Sequence, residues 1–223
     1  MTNREIILGR IREALKIAAP HPALENSQAG SLRYFQQWLP PVGEMLEEQI
    51  ELFQENSKSL KTDFRVCVDV NEAIQFVKTL AAENGWKKIG LHCGELTDAV
   101  ARELNLPKVQ TDDSYAIADL ESCDVGLTEC ESLIAQTGSV LVSARSAGGR
   151  ALSVLPPHHV VLARKNQMTP NLSVALQRAQ EKFGDNFPSF LSFITGPSRT
   201  GDIERILVFG AHGPKKLTIL LLP

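Results

Sequence analysis

In Leu217-Thr218-Ile219-Leu220-Leu221-Leu222, five of six side chains are aliphatic, at odd and even positions alike. A strand turns successive side chains to opposite faces, so this run is apolar on both. That is the pattern of a strand inside a parallel sheet covered on each side. Working back from it, Arg205–Phe209, His159–Ala163 and Ser139–Ser143 read as further strands by their β-branched and apolar content. So do Phe64–Val68, Lys88–His92, Asp124–Leu127 and, more briefly, Val109–Thr111. Helical periodicity falls between them, at Asn71–Ala82, Thr97–Leu104 and Leu172–Lys182, with a short helix expected over Cys130–Ala135. Strands alternating with helices imply parallel pairing and an α/β fold: a three-layer arrangement of a mainly parallel sheet flanked by helices.

Upstream of residue 63 the pattern differs. Ile6, Ile7, Arg10, Ile11, Ala14, Leu15 and Ala18 share one face of a helix over residues 2–18, which Pro20 and Pro22 stop. A Pro/Gly/Ser/Asn linker over 20–30 and a second helix from about Met45 to Leu60 follow. The expected organisation is a helical extension over 1–62 and an α/β domain over 63–223. The segment Ser143–Leu152, rich in Ser, Ala, Gly and Arg, reads as a mobile loop.

Composition bounds the function. With 43% hydrophobic and 22% charged residues in 223, one sizeable core is affordable. A net charge of −3 gives no electrostatic reason for a nucleic-acid or anionic-membrane partner. No apolar run approaches the roughly 20 residues of a membrane span, and the charged N-terminus lacks a secretory core. A cytoplasmic protein is expected. Cys67, Cys93, Cys123 and Cys130 form no CxxC pair and no zinc spacing. They read as buried reduced thiols, without the clustered spacing of an iron–sulfur site.

Two Gly/Pro-punctuated loops carry the densest chemistry. Gly196-Pro197-Ser198-Arg199-Thr200-Gly201-Asp202-Ile203-Glu204 gathers hydroxyls, a guanidinium and carboxylates. With Ser198, Thr200 and backbone N–H groups turned inward it forms an anion-binding concavity that Arg199 closes. The alternative is a capping turn in which Arg199 pairs with Asp202 or Glu204. Gly210-Ala211-His212-Gly213-Pro214 sets an imidazole on a tight turn, either as a proton carrier or as a pin for the turn. Glu129, after Gly126-Leu127-Thr128, is either a catalytic carboxylate or an N-terminal helix residue stabilised by the dipole. Thr137-Gly138-Ser139 joins the ligand-binding set or merely turns the chain into the next strand. His158 and His159, adjacent on a strand, point to opposite faces and make a poor metal pair. No G-x-S-x-G elbow, H-E-x-x-H, Walker A loop or G-x-G-x-x-G fingerprint is present.

The blocks Asp124-Val125-Gly126-Leu127-Thr128, Thr137-Gly138-Ser139, Leu155-Pro156-Pro157-His158-His159, Gly196–Glu204 and Gly210–Pro214 resemble the LUD-domain family, formerly DUF162. Within it they resemble the lactate utilization protein C, or YkgG, branch. Gly201 and Ala211 depart mildly from its pattern. The resemblance implies a fold like that of the NagB/RpiA/CoA-transferase group. It also implies a part in oxidising L-lactate to pyruvate with two iron–sulfur partners of the LutA and LutB kind. This chain would be the cluster-free member, with lactate as its small anionic ligand.

The candidate catalytic set is Glu129, Asp202 and His212. The candidate anion-binding set is Thr137, Gly138, Gly196, Ser198, Arg199, Thr200 and Gly213. Two other functions compete. One is a stand-alone enzyme on a small anionic, acyl-CoA or sugar-phosphate substrate, with Glu129 as base or nucleophile, Arg199 as clamp and His212 as proton carrier. The other is a sensor or scaffold that binds such a ligand without turnover.

Overall fold

The computed structural model describes residues 3–14, 16, 40–112, 114–201, 207–210 and 213–223. The chain divides into two units, residues 1–40 and 41–223. The first contains helix α1 (Asn3–Ala14), on which Ile6, Ile7, Leu8 and Ile11 are exposed. The linker expected over 20–30 lies outside the described residues.

The second unit opens with α2 (Leu46–Leu60) and continues through β1 (Asp63–Val66), α3 (Val70–Asn84), β2 (Ile89–Leu91), α4 (Glu95–Leu104), β3 (Lys108–Gln110) and α5 (Ile117–Glu121). Then come β4 (Val125–Thr128), β5 (Ser132–Ile134), β6 (Ser139–Ser143), β7 (His158–Arg164), β8 (Met168–Thr169) and α6 (Leu172–Phe183). The last strands are β9 (Leu191–Ile194), β10 (Arg199–Gly201), β11 (Leu207–Phe209) and β12 (Lys216–Leu222). The α2 helix, assigned to the extension on sequence, belongs to this compact unit. Its Phe53 is fully buried and meets Phe64 of β1 edge to face at 4.8 Å.

Six strands form an entirely parallel sheet in the order β1-β12-β7-β4-β2-β3. β12 lies inside it, paired with β1 and β7, as its two-faced apolar run requires. The period of two sorts its side chains. Leu220 and Leu222 enter a core with Ile74, Val77, Leu96 and Val100 of α3 and α4. Leu217, Ile219 and Leu221 enter a second core with Phe53, Leu133, Val140 and Val142. Each such buried leucine contributes about 2 kcal/mol of transfer free energy.

Helices α3 and α4 cover one face. The other carries α2 and a four-stranded sheet, β8-β5-β6-β9, in which β6 runs antiparallel to both neighbours. Helix α6 packs outside that sheet, with Ala175, Ala179 and Phe183 against Ile134 and Leu141. The short helix expected over Cys130–Ala135 is therefore β5. Its Ser132, Leu133 and Ile134 are all buried, and pairing with β6 and β8 overrides a local pattern too short to decide. β10 and β11 form a separate hairpin.

Helix ends follow their local chemistry. Asp69 caps α3 by accepting from Glu72 N–H at 2.8 Å, and Asn171 caps α6 by accepting from Val174 N–H at 3.0 Å.

Candidate functional site

The parallel strands give the unit two ends. From β2 the chain moves outward to β3, whereas from β4 it moves the other way to β7 and β12. The crossover direction reverses between β2 and β4, and the crevice beyond the carboxyl ends of such a strand pair is where open α/β sheets place ligands. Here the residue after β2 is His92 and the residue after β4 is Glu129.

These two residues are tied together. Glu129 N–H donates to His92 Nε2 at 3.0 Å and to the Ser146 carbonyl at 3.1 Å. His92 Nδ1 lies 3.1 Å from the Cys93 carbonyl. A lone pair on Nε2 and the ring proton on Nδ1 satisfy both contacts. The Glu129 carboxylate accepts from Leu96 N–H, in the first turn of α4, at 2.9 Å. Glu129 is thus not at the start of its own helix. It caps another, whose N-cap residue Gly94 has no side chain to offer. Gly94 is needed for that approach, because a Cβ there would stand 2.4 Å from Glu129 Oε1.

A cleft of about 310 Å³ opens beside this pair, with Glu131, Arg145 and Lys182 along its wall. The Glu131 side chain is 4% exposed; it accepts from Ser143 Oγ and from Lys182 Nζ at 2.7 Å. Ser143 Oγ also accepts from the N–H groups of Arg145 and Ser146, at 3.1 Å each. The segment after β6, expected to be mobile, is instead pinned. Ala147 and Gly148 are buried, and Gly149 N–H bonds the Ala144 carbonyl at 2.8 Å. Arg145 is exposed, donates to the Asn186 carbonyl at 2.9 Å and lies over the Phe183 ring.

The other predicted residues gather at the opposite end. Helix α2 runs into the start of β1, and its last turn collects them. Asn56 Nδ2 donates to the carbonyls of Ala135 and Gln136, and Gly138 packs on Asn56 and Leu60. Thr137, Ser139 and Thr195 form a chain of hydroxyls with 2.8 Å links. Gly196 lies against Leu60, whose carbonyl accepts from Arg199 Nη2. A guanidinium at a helix C-terminus is the favourable sign for the dipole. Ser198 N–H bonds the Pro214 carbonyl at 2.9 Å, and Gly213 packs on Ser198. Thr200 pairs with Val208 across the hairpin. Asp202 and His212 lie outside the described residues. Glu129 and Arg199 therefore sit at opposite ends of the strands, on the order of 15 Å apart for strands of four to seven residues, and do not share a site.

Both strand histidines are buried. His158 Nε2 meets Thr218 Oγ1 at 2.9 Å, and His159 Nε2 meets Thr128 Oγ1 at 2.8 Å. Burial lowers the His158 pKa to about 4, assisted by Lys216, and that of His159 to about 3, assisted by His158. Of the thiols, Cys67, Cys123 and Cys130 are buried, and burial raises all three pKa values, Cys67 to about 11. Cys93, expected to be buried, is exposed beside the N-terminus of α4. Among the described residues, no group of three or more His, Cys, Asp or Glu is arranged to hold a metal ion. No helix among them is long and apolar enough to cross a membrane.

His92, weighed on sequence only as a weak metal pair with Cys93, and Arg145, Glu131 and Lys182 stand outside the candidate set drawn from sequence. The first had a readable signal, its place directly after a parallel strand. The rest come together only through the second sheet and α6.

The LUD domain family model matches residues 50–222. The chain belongs to the LUD domain family. It is similar to proteins named Lactate utilization protein C, from Macrococcus caseolyticus at 36% identity over 103 residues and from Halalkalibacterium halodurans at 31% over 121. The first match covers 45% of each chain and the second 53% of each. A protein of Escherichia coli named Uncharacterized protein YkgG is 33% identical over 108 residues, 48% of this chain and 47% of its own. The chain thus spans about half the length of the curated relatives it matches. The crystal structure of a DUF162 family protein from Deinococcus radiodurans shares the fold. It superposes with a TM-score of 0.65 at 18% identity, over 81% of this chain and all of that one.

Proposed function

We propose that this chain is a component of a lactate utilization system and takes part in oxidising L-lactate to pyruvate. The observation that carries the reading is its 31–36% identity to relatives bearing that name. The oxidation releases two electrons, and in this proposal they pass to clusters held by iron–sulfur partner proteins. The wide spacing of Cys67, Cys93, Cys123 and Cys130 in the chain, without a clustered cysteine motif, supports that division. The proposal places the small anion at the carboxyl-end cleft. Arg145 and Lys182 both line it, whereas Arg199 is taken up by Leu60. Arg145 spends one donor on Asn186 and offers the rest of its fork to a carboxylate.

The test is growth on L-lactate as sole carbon source of a deletion strain complemented by wild type, by Arg145→Ala or by nothing. Wild type alone is expected to restore growth, with both proteins accumulating equally. Normal growth of the uncomplemented deletion, with no paralogue present, would overturn the reading.

The position of Glu129 at the switch point favours a second reading, a stand-alone enzyme on a small anionic, acyl-CoA or sugar-phosphate substrate. It requires turnover by the isolated chain that is lost in Glu129→Gln.

A further inference from the structure

Glu131 is a charge withdrawn from water in the wall of the carboxyl-end cleft. Its side chain is 4% exposed, whereas that of Lys182, its ionic partner, is 62% exposed. A partner so open to solvent offsets little of the cost of burying a carboxylate. The other contact of Glu131 is with Ser143, which is fully buried. A serine hydroxyl has two lone pairs and one proton. The N–H groups of Arg145 and Ser146 take the lone pairs of Ser143 Oγ, at 3.1 Å each, and the proton goes to Glu131. A carboxylate paired with a lysine only accepts, so it holds the hydroxyl in that one orientation. The two amides open the turn after β6. Ser143 N–H closes it by donating to Ser146 Oγ at 3.0 Å, as does Ala147 N–H by donating to the Ser143 carbonyl at 3.0 Å. The Ser146 carbonyl in turn accepts from Glu129 N–H at 3.1 Å. One run of hydrogen bonds therefore leads from Glu131 through Ser143 to the backbone that carries Arg145, and on to Glu129. All three charged side chains line the same cleft.

We infer that Glu131 is a positioning residue: through Ser143 it sets the turn that presents Arg145 to a small carboxylate in the cleft. That role rests on the reading that places the anion there. Charge alone and positioning differ in sign. Taking a negative charge out of the wall of an anion site tightens binding by Coulomb's law. Loosening the turn that presents the guanidinium weakens it, because a fork held in place loses less freedom when the anion docks.

The test uses the full chain and two readouts. Amide hydrogen exchange at Arg145 and Ser146, followed by NMR without ligand, reports on the turn. Titration with L-lactate reports on the site. In Glu131→Ala both amides should exchange at least tenfold faster, under conditions where the amides of β12 stay protected, and L-lactate should bind at least fivefold more weakly. Ser143→Ala removes only the hydroxyl and changes no charge. It should do the same, and it carries the test if Glu131→Ala does not fold. Arg145→Ala alone should weaken binding at least tenfold. Added to it, either substitution should weaken binding less than a further twofold, since no guanidinium is left to place. Unchanged exchange at both amides would overturn the inference. So would L-lactate affinity that Glu131→Ala raises or leaves alone while Arg145→Ala lowers it, and the anion would then stay in the cleft without help from Glu131. Equal L-lactate affinity in wild type and Arg145→Ala would instead overturn the placement of the anion, and the role of Glu131 with it.

Discussion

At the carboxyl ends of the parallel strands His92 has both ring nitrogens engaged, one by Glu129 N–H and one by the Cys93 carbonyl. At the amino ends His158 and His159 each engage Nε2 with a threonine and leave Nδ1 without a partner. The first end is a closed network in which histidine, carboxylate, helix terminus and glycine loop satisfy one another. The second is buried but incomplete. The difference is between polar groups that satisfy one another and polar groups left unsatisfied by burial, and it sets how each end should respond to acid and to substitution.

The largest effect should come from acid. Both amino-end histidines have folded pKa values well below the usual 6.5, so unfolding takes up protons. Stability is then lost as pH falls from 6.5 towards 4. Approaching about 1.4 kcal/mol per unit for each once pH is below the unfolded value, the pair costs about 4 kcal/mol between pH 7 and 5. Urea melts across that range should show the loss in wild type and a flatter profile in His158→Gln/His159→Gln. Equal slopes would remove the contrast between the two ends.

Next is the glycine loop over the carboxyl end. Gly148 has φ +55°, and a Cβ there would stand 1.9 Å from Thr111 Oγ1 and 2.6 Å from His92 Cβ. Gly148→Ala should cost about 3 kcal/mol from overpacking and backbone strain together. Gly149→Ala, with nothing within 4 Å of its Cβ, should cost only the strain, about 1–2 kcal/mol. Similar midpoints for the two variants in urea would mean that the network is looser than its distances imply.

Smaller again, Glu129→Gln keeps an acceptor for Leu96 N–H but removes a charge from the α4 N-terminus, a loss of about 1 kcal/mol that thermal melting can resolve. Smallest is Arg199→Ala. It removes an exposed cap from α2 and should cost about 0.5 kcal/mol without impairing growth on lactate. A folded Arg199→Ala protein that fails to support that growth would move the anion back to the amino end.

Much of the fold was legible because burial leaves a periodic trace. The two-faced run of β12 announced a parallel interior strand, and the helices α3, α4 and α6 stood out by spacing. Some of the shortest segments did not: β5 mimicked a helix, β8 and β9 went unread because their partners β5 and β6 lie tens of residues away, and α5 and β10 are too short to show a period. The site was legible by kind rather than by place. Glu129 could be singled out as a carboxylate after a strand, but nothing local says that it caps α4, 33 residues earlier, or that Arg199 reaches back to Leu60. Long-range pairing of that sort is set by topology, which one sequence encodes only through the core.

The most direct measurement is pyruvate formation from L-lactate by the proposed iron–sulfur partners, with a dye as terminal acceptor, with this chain present, absent or carrying Arg145→Ala. The account predicts turnover only with the wild-type chain, and at least a tenfold loss with Arg145→Ala. Equal turnover by the partners alone would contradict it.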